Sequence, residues 1–411
     1  MNVQQSIDKS KRKLLYIHQH FCTPKGHGGT RSYEFAKRWS HKNYDITIIT
    51  GHGYDQTLTT RGTSKIEGFT VKLLGSKYHN TMGFHRRVAS FFRFTIESTL
   101  FCLRHGKKYN LVLATSTPLT IAIPALTCSL VHKTPFIFEV RDVWPDVAIE
   151  IGALRNRTLK KLAFFLERIA YKKACHIVPL SSGMESRILG KGVPAEKCTT
   201  IPNCSDTDRF YPNCTRRSKS DKFRILYSGS ISLANDIEFL GELVLAAKPM
   251  KQVEWVFAGE GNRLFWLEKF AFENKLSNLK ILGKVAKNEL PKLFSSCHAG
   301  LVSFRSEPIF YENSPNKFFD YAAAGLPTIF TRTTWLADVV EENDIGFISK
   351  DRSTAPILDY ITQLSSSEAK RIESSKRIRT IAETMFSRDL MAKRYEALLS
   401  RFADTKRIPN K

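Results

Sequence analysis

The chain has 411 residues, and 63 Lys and Arg against 39 Asp and Glu give it a formal net charge of +24. That length exceeds what one compact core usually holds, so two domains are expected. Apolar and charged shares of 42% and 25% exclude a disordered or fibrous chain.

The charge calls for an anionic partner: nucleic acid, an anionic membrane face or a phosphorylated substrate. The eight cysteines form no CxxC pair and no Cys/His group at zinc spacing, which implies reduced thiols in a cytosolic protein. The start MNVQQSIDKSKRK lacks the apolar core of a signal peptide. No uninterrupted apolar run is long enough to span a bilayer.

In chain order, the apolar runs KLLYIHQHF, DITIITG, NLVLATS, PFIFEVRD and HIVPLS alternate with helical segments such as SYEFAKRWS and LKKLAFFLERIAYKKA. Continuous apolar strands separated by helices predict parallel sheets covered on both faces. The alternation pauses at 201–222, a polar stretch with two prolines and a basic cluster, which reads as a linker. It restarts with FRILYSG, VEWVFAGE, LKILGKV, AGLVSF and PTIFTR, and from about Thr354 to Ala403 it reads as charged helices. The expected fold class is α/β: two Rossmann-like, doubly wound parallel-sheet domains facing a cleft. Ligands in such sheets sit beyond the C-terminal strand ends, near helix N-termini.

Six segments carry candidate chemistry. In HQHFCTPKGHGGTRSYEFAKRW, Gly28 and Gly29 permit close backbone approach and Arg31 opens a helix. It is neither a Walker A nor a GxGxxG motif, and a plain tight turn explains it as well. FEVRDVWPD ends a strand in Arg141-Asp142, either a catalytic pair or a structural ion pair. Gly229 and Ser230 make a small turn after strand 223–228; Gly259 in FAGEGNR, and Gly283, Lys284 and Val285 in ILGKV, lie in strand-end loops on the same side. Such loops let phosphates approach backbone.

In YENSPNKFFDYAAAGLPTIF, Ser314 suits an N-cap and Pro315 a first helical position. A first turn normally favours acids, so Lys317 beside Asn316 implies that a ligand, such as a phosphate, supplies the negative charge. Asp320, three residues on, suits the vicinal hydroxyls of a ribose, and Glu312 lies in the loop before the helix. A capped surface helix with ordinary charges is the plain alternative for this segment alone.

Two further features have competing readings. FHRRVASFFRFTIESTLFCLRHGKK is basic at both ends and apolar between, which fits an anionic membrane surface or a packed helix with basic caps. Asp206-Thr207-Asp208 is a DxD, but in a linker it reads more readily as a chance acid pair than as a metal site.

Taken in series, GGTRSYEFAKRW, LATSTPLT, FEVRDVWPD, IPNCSDTDRFYP, FAGEGN, ILGKV and SPNKFFDYAAAGLPTI resemble the retaining glycosyltransferases of family 4, with the two-Rossmann GT-B architecture. The narrower resemblance is to the fucosamine-transferase-like branch of bacterial surface polysaccharide synthesis. It implies an acceptor-side domain over 1–204, a linker over 205–222, a nucleotide-sugar domain over 223–385 and a helix over 386–411 crossing back to the first domain.

It also implies roles. Glu312 would meet the donor sugar, the backbone around Asn316 and Lys317 the pyrophosphate, and Asp320 the ribose, while Gly283 to Val285 would border the base. Gly229, Ser230, Gly259 and Ser314 complete the donor set, Gly28, Gly29 and Arg31 line the acceptor side, and Arg141 and Asp142 join Glu312 and Lys317 as catalytic candidates. There are departures. Ser230 and Asn235 stand where many members carry Arg and Lys, and Arg141 stands where many carry His.

The expected reaction transfers a sugar with retention from a nucleotide diphosphate sugar, a UDP-N-acetyl sugar by family. The acceptor is polyprenyl-linked or a glycan at the inner face of the cytoplasmic membrane. No metal or other cofactor is expected, and no nucleic-acid partner. The alternatives are a nucleotide-sugar epimerase of the same architecture and a basic nucleic-acid-binding protein, the latter supported by net charge alone.

Overall fold

The computed structural model describes residues 11–26, 28–52, 58, 62–77, 82, 84–212 and 222–404. The chain divides into two units: Met1–Leu180, Met184–Ile201 and Ala392–Lys411 form the first, and Ser181–Gly183 with Pro202–Met391 the second.

The first unit is built on β1 (Arg12–Ile17), β2 (Tyr44–His52), β3 (Thr63–Ile66), β4 (Phe69–Lys77), β5 (Leu111–Thr115), β6 (Phe136–Val140) and β7 (His176–Pro179), in the order β3-β4-β2-β1-β5-β6-β7. Every residue of β5, β6 and β7 is buried, which explains their unbroken apolar sequence. The edge departs from the all-parallel expectation, because β3 runs antiparallel to β4 with Ile66 opposite Phe69. The two intervening residues, Glu67 and Gly68, have φ of 46° and 86°. Two positive φ values make a tight hairpin turn whose twist matches its strands.

The helices α1 (Arg31–Ser40), α2 (Phe84–His105), α3 (Ala122–His132), α4 (Asp146–Glu150) and α5 (Arg157–Lys173) connect these strands, and α6 (Ser182–Gly190) follows β7. Phe94 and Cys102 of α2, Ala125 and Leu126 of α3, and Ala170 and Tyr171 of α5 share one core with β1, β5 and β6.

The second unit carries β8 (Phe223–Ser228), β9 (Val253–Ala258), β10 (Leu279–Gly283), β11 (Ala299–Val302), β12 (Thr328–Phe330) and β13 (Gly346–Ile348). They form a parallel sheet in the order β10-β9-β8-β11-β12-β13. Ile225 and Tyr227 of β8 enter one core and Leu226 the other, as the two-residue period of a strand requires. Both faces of the sheet are therefore covered.

Its helices are α7 (Ile237–Ala246), α8 (Leu264–Glu273), α9 (Leu290–Phe294), α10 (Asn316–Ala323), α11 (Ala337–Glu342), α12 (Ala355–Ser366) and α13 (Glu368–Thr384); α14 (Arg388–Ala403) follows. Among the described residues, no helix is long and apolar enough to cross a membrane.

Candidate functional site

In the second unit, the strand-end loops and the start of α10 form one cluster. Gly259 must be glycine because of close approach: a Cβ there would lie 1.7 Å from the Gly229 carbonyl oxygen. The Gly259 N–H donates to the Gly283 carbonyl at 2.7 Å, so the ends of β8, β9 and β10 are tied together. Ser230 is exposed, and its carbonyl accepts from the Tyr227 hydroxyl at 2.6 Å and Asn235 Nδ2 at 3.0 Å. Beyond β10, Lys284 is paired with Glu260 at 3.8 Å, and Val285 is half-buried.

Lys317 reaches from α10 to this turn. A Cβ on Gly229, where φ is 143°, would lie 3.4 Å from its Nζ. The ammonium lies 4.1 Å from the Tyr227 ring centroid and donates to Asn235 Oδ1 at 3.3 Å. Burial lowers its pKa to about 7. The residue as a whole keeps some accessible surface, but its charged end is enclosed by the turn and the ring. Its protein contacts there are a ring face and a neutral amide oxygen, so an anion would be a stronger partner than either.

The helix start differs from its sequence reading. α10 begins at Asn316, Pro315 occupies the cap position with ψ of 117°, and no side chain caps the first turn. Ser314 is not the cap, because its hydroxyl accepts the Asn203 N–H at 3.3 Å and its carbonyl accepts Asn203 Nδ2 at 2.7 Å. The extended backbone at Pro315 turns Ser314 toward that segment. No acid stands in the first turn, where Asn316 is exposed. The helix thus presents uncapped N–H groups and its positive dipole end beside Lys317.

Glu312 is 9% exposed and ends a 3-10 turn over Pro308–Glu312. Its carbonyl accepts from Ser181 Oγ at 2.6 Å, and a Cβ on Gly183 would come within 2.9 Å of its Cγ. Glu312 also lines a cavity of about 420 Å³ with Arg305, Phe310, Tyr311, Arg332 and Lys350. Within this wall, Arg332 Nε and Glu307 Oε2 are buried without a partner among the described residues. One unmet donor and one unmet acceptor beside aromatic rings suit a hydroxyl-bearing ligand.

Asp320 lies one turn into α10, and burial raises its pKa to about 7 against the pull of Arg388. Asp206, of the DxD, is bound to Arg388 at 2.8 Å with both side chains nearly buried. That carboxylate therefore has a protein cation as its partner. No group of three metal-ligating side chains occurs among the described residues.

In the first unit, Arg141 and Asp142 have separate partners. Arg141 Nη1 lies 3.3 Å from His18 Nε2, and Asp142 Oδ2 accepts from Thr117 Oγ1 at 2.7 Å. A guanidinium only donates, so His18 Nε2 must accept, and Nδ1–H then faces Ser32 Oγ at 2.7 Å. Burial and, secondarily, Arg141 keep His18 neutral, and the same causes lower the pKa of His20 to about 4.

Arg31, expected to line the acceptor side, has its side chain engaged within the first unit. It is 6% exposed, pairs with Glu139 at 3.0 Å and donates to the Ile201 carbonyl at 2.8 Å. Its apolar surroundings and buried carboxylate hold it inside the unit. Of the glycines before it, Gly28 donates its N–H to Cys22 Sγ at 3.1 Å and Gly29 is exposed.

Sequence reasoning missed the roles of Tyr227 and Asn235 toward Lys317, of Gly183 against Glu312, and of Arg305, Arg332 and Lys350 in the cavity. The small run Ser181-Ser182-Gly183 after β7 was the one local signal for the second of these.

Two α/β units built mainly on parallel strands, the second carrying a cationic helix start over a glycine turn, define a doubly wound α/β protein. Comparisons with known proteins agree. A family model described as "Glycosyl transferase 4-like domain" matches residues 27–204, and one described as "Glycosyl transferases group 1" matches 215–385. Together they span most of the chain, which belongs to the glycosyltransferases.

The chain is 26% identical over 178 residues to the putative colanic acid biosynthesis glycosyl transferase WcaI of Escherichia coli (strain K12), covering 39% of this chain and 43% of that protein. It is 21% identical over 233 residues to the amylovoran biosynthesis glycosyltransferase AmsK of Erwinia amylovora, covering 55% and 56%. The chain thus spans about half the length of these curated relatives.

Among solved structures, the sucrose-phosphate synthase of Thermosynechococcus elongatus superposes with a TM-score of 0.75 at 14% identity, covering 96% and 100% of the two chains. Anabaena Alr3699/HepE in complex with UDP-glucose gives 0.70 at 16% identity, covering 95% and 99%. These likenesses establish the GT-B type of fold.

Proposed function

We propose that this glycosyltransferase moves a sugar, with retention, from a UDP-sugar to a lipid-linked or glycan acceptor in surface polysaccharide synthesis, without a metal. The donor expected from family resemblance is a UDP-N-acetyl sugar of the fucosamine-transferase-like branch, and the place of work is the cytoplasmic side of the membrane. The relatives named for colanic acid and amylovoran synthesis support the pathway class, and the UDP-glucose complex of Alr3699/HepE supports the donor class.

The observation that carries the reading is the Lys317 ammonium held across the Gly229 turn beside the uncapped start of α10. In transfer, the bond from the anomeric carbon to the diphosphate oxygen breaks and charge grows on the leaving diphosphate. Backbone N–H groups of α10 and Lys317 would stabilise that charge in a site already organised for it. The acceptor hydroxyl attacks from the same face, and its proton passes to the departing phosphate oxygen. No protein base is then needed, and Asp142 is assigned acceptor positioning only. Glu312 and the cavity beside it would hold the sugar, and Asp320 would accept from the ribose hydroxyls.

Lys317→Ala should lower turnover on UDP-sugar by about a hundredfold or more while leaving the thermal unfolding curve near that of the wild type. Wild-type turnover in this variant would remove the phosphate role. Activity abolished by EDTA and restored by magnesium would overturn the metal-free mechanism.

A further inference from the structure

In the first unit, α3 packs against α2 on one side and α5 on the other. The inner faces of all three helices enter a single core, so their outer faces lie on the side away from the sheet. Those outer faces are apolar. Along α2, Phe92, Ile96, Leu100 and Leu103 are 59%, 58%, 43% and 41% exposed, and their spacing of four, four and three residues makes one stripe. On α3, Ile123, Leu130 and Val131 are exposed, and on α5, Leu159, Leu162 and Phe165. Among the described residues of this unit, every exposed large apolar side chain lies on these three helices, Ile151 excepted. A soluble monomer rarely gathers its exposed apolar surface this way.

The charges around the patch have one sign. Arg104, Lys107 and Lys108 follow the α2 stripe, Lys133 ends α3, and Lys160 and Lys161 lie on α5. The acids on the three helices are withdrawn from this surface. Glu97 accepts the Gly75 N–H at 2.9 Å and pairs with Arg93, and Glu167 is buried against Lys191. α3 carries no acid.

We infer that the outer face of α2, α3 and α5 is a docking surface for a lipid leaflet bearing anionic headgroups. Its apolar stripes would enter the headgroup boundary and its basic rim would meet the lipid phosphates. A second copy of the chain fits worse, because it would set one basic rim against another on a chain of net charge +24. Nucleic acid would leave the apolar stripes uncovered. Since no described helix can cross a membrane, the protein would lie on the leaflet rather than span it. The inference extends the proposed lipid-linked acceptor chemistry but does not depend on the donor site.

The test is flotation of the full-length protein with vesicles of phosphatidylcholine alone or mixed with phosphatidylglycerol. The wild type should float with the mixed vesicles, and less so as salt is raised. Lys160→Ala with Lys161→Ala should lower partitioning by about fivefold per charge removed. Phe92→Ser with Leu162→Ser should lower it at unchanged charge, while calorimetric binding of UDP-glucose stays as in the wild type and shows the variant folded. Equal flotation of wild type and both variants, or none by the wild type, would overturn the inference. So would a wild-type dimer that Phe92→Ser with Leu162→Ser converts to a monomer, since the face would then be a self-association surface. Vesicle binding without UDP-glucose binding would uphold the docking surface and count against the donor reading alone.

Discussion

At the scale of single residues, Lys317 and Asp320 are opposite charges three positions apart, and burial brings each to a pKa of about 7. The lysine's value is lowered, so its charge is lost as pH rises through about 7; the aspartate's is raised, so its charge appears over the same range. A bound diphosphate favours charged lysine and raises that pKa, so binding takes up a proton. Ribose hydroxyls donating to Asp320 favour its carboxylate and lower that pKa, so binding releases one. The diphosphate diester of a nucleotide sugar has no proton of its own to exchange near neutrality.

UDP-sugar binding by Asp320→Asn at pH 7.5 or so should therefore show net proton uptake, and by Lys317→Ala net release. Calorimetry in buffers of different ionisation enthalpy reads the difference. The same sign from both variants would dismiss the pairing. Lys317 was legible in the sequence as a cation where an acid is usual. Its companions were not: Asn235 read as a missing cation, whereas the structure makes its Oδ1 the acceptor for Lys317 and its Nδ2 a brace for the Gly229 turn.

At the scale of elements, the site depends on strand ends held backbone to backbone. Gly259→Ala should cost about 2 kcal/mol in chemical denaturation, because a Cβ 1.7 Å from the Gly229 carbonyl forces the two loops apart. UDP-sugar affinity should fall with it, since the Gly229 turn carries the contact to Lys317. Gly190→Ala is the control: its Cβ would meet nothing within 4 Å, and in a helix alanine should be neutral or stabilising. Equal stability loss in both variants would mean that the close approach is unimportant.

Periodicity revealed strands and helices well here, because β5, β6 and β7 are buried on both faces and so appear as unbroken apolar runs. The start of α10 was misread by one position. Cap propensity favours Ser314, but a tertiary partner, Asn203, takes its hydroxyl. The β3-β4 hairpin went unseen because Glu67-Gly68 is a weaker turn signal than Asn-Gly or Asp-Gly.

At the scale of the whole molecule, the chain returns to the first unit at Ala392. Tyr395 of α14 is fully buried there, with ring centroids 5.3 Å from Trp39 and 5.8 Å from Phe35, and Trp39 Nε1 donates to the Ala392 carbonyl at 3.1 Å. Tyr395→Ala should destabilise the first unit by about 3 kcal/mol or more, seen as an earlier thermal transition while the second unit's UDP-sugar binding remains. Unchanged unfolding would show that the returning helix contributes little.

The sequence by itself determined the α/β class and the glycosyltransferase resemblance, and it marked the segment from Glu312 to Asp320 as the candidate donor site. These follow from local periodicity, glycine placement and motif order, which depend on near neighbours along the chain. Only the tertiary structure decided which charges are available. Arg31 and Asp206 carry the same formal charge in sequence as any exposed Arg or Asp, yet Glu139 and Arg388 engage them. Lys317 has a ring face and a neutral amide as neighbours. Likewise, the apolar faces of α2, α3 and α5 are scattered in sequence and become one surface only because the three helices pack on one core. Burial and partnering depend on residues far apart in the chain, and no local pattern encodes them.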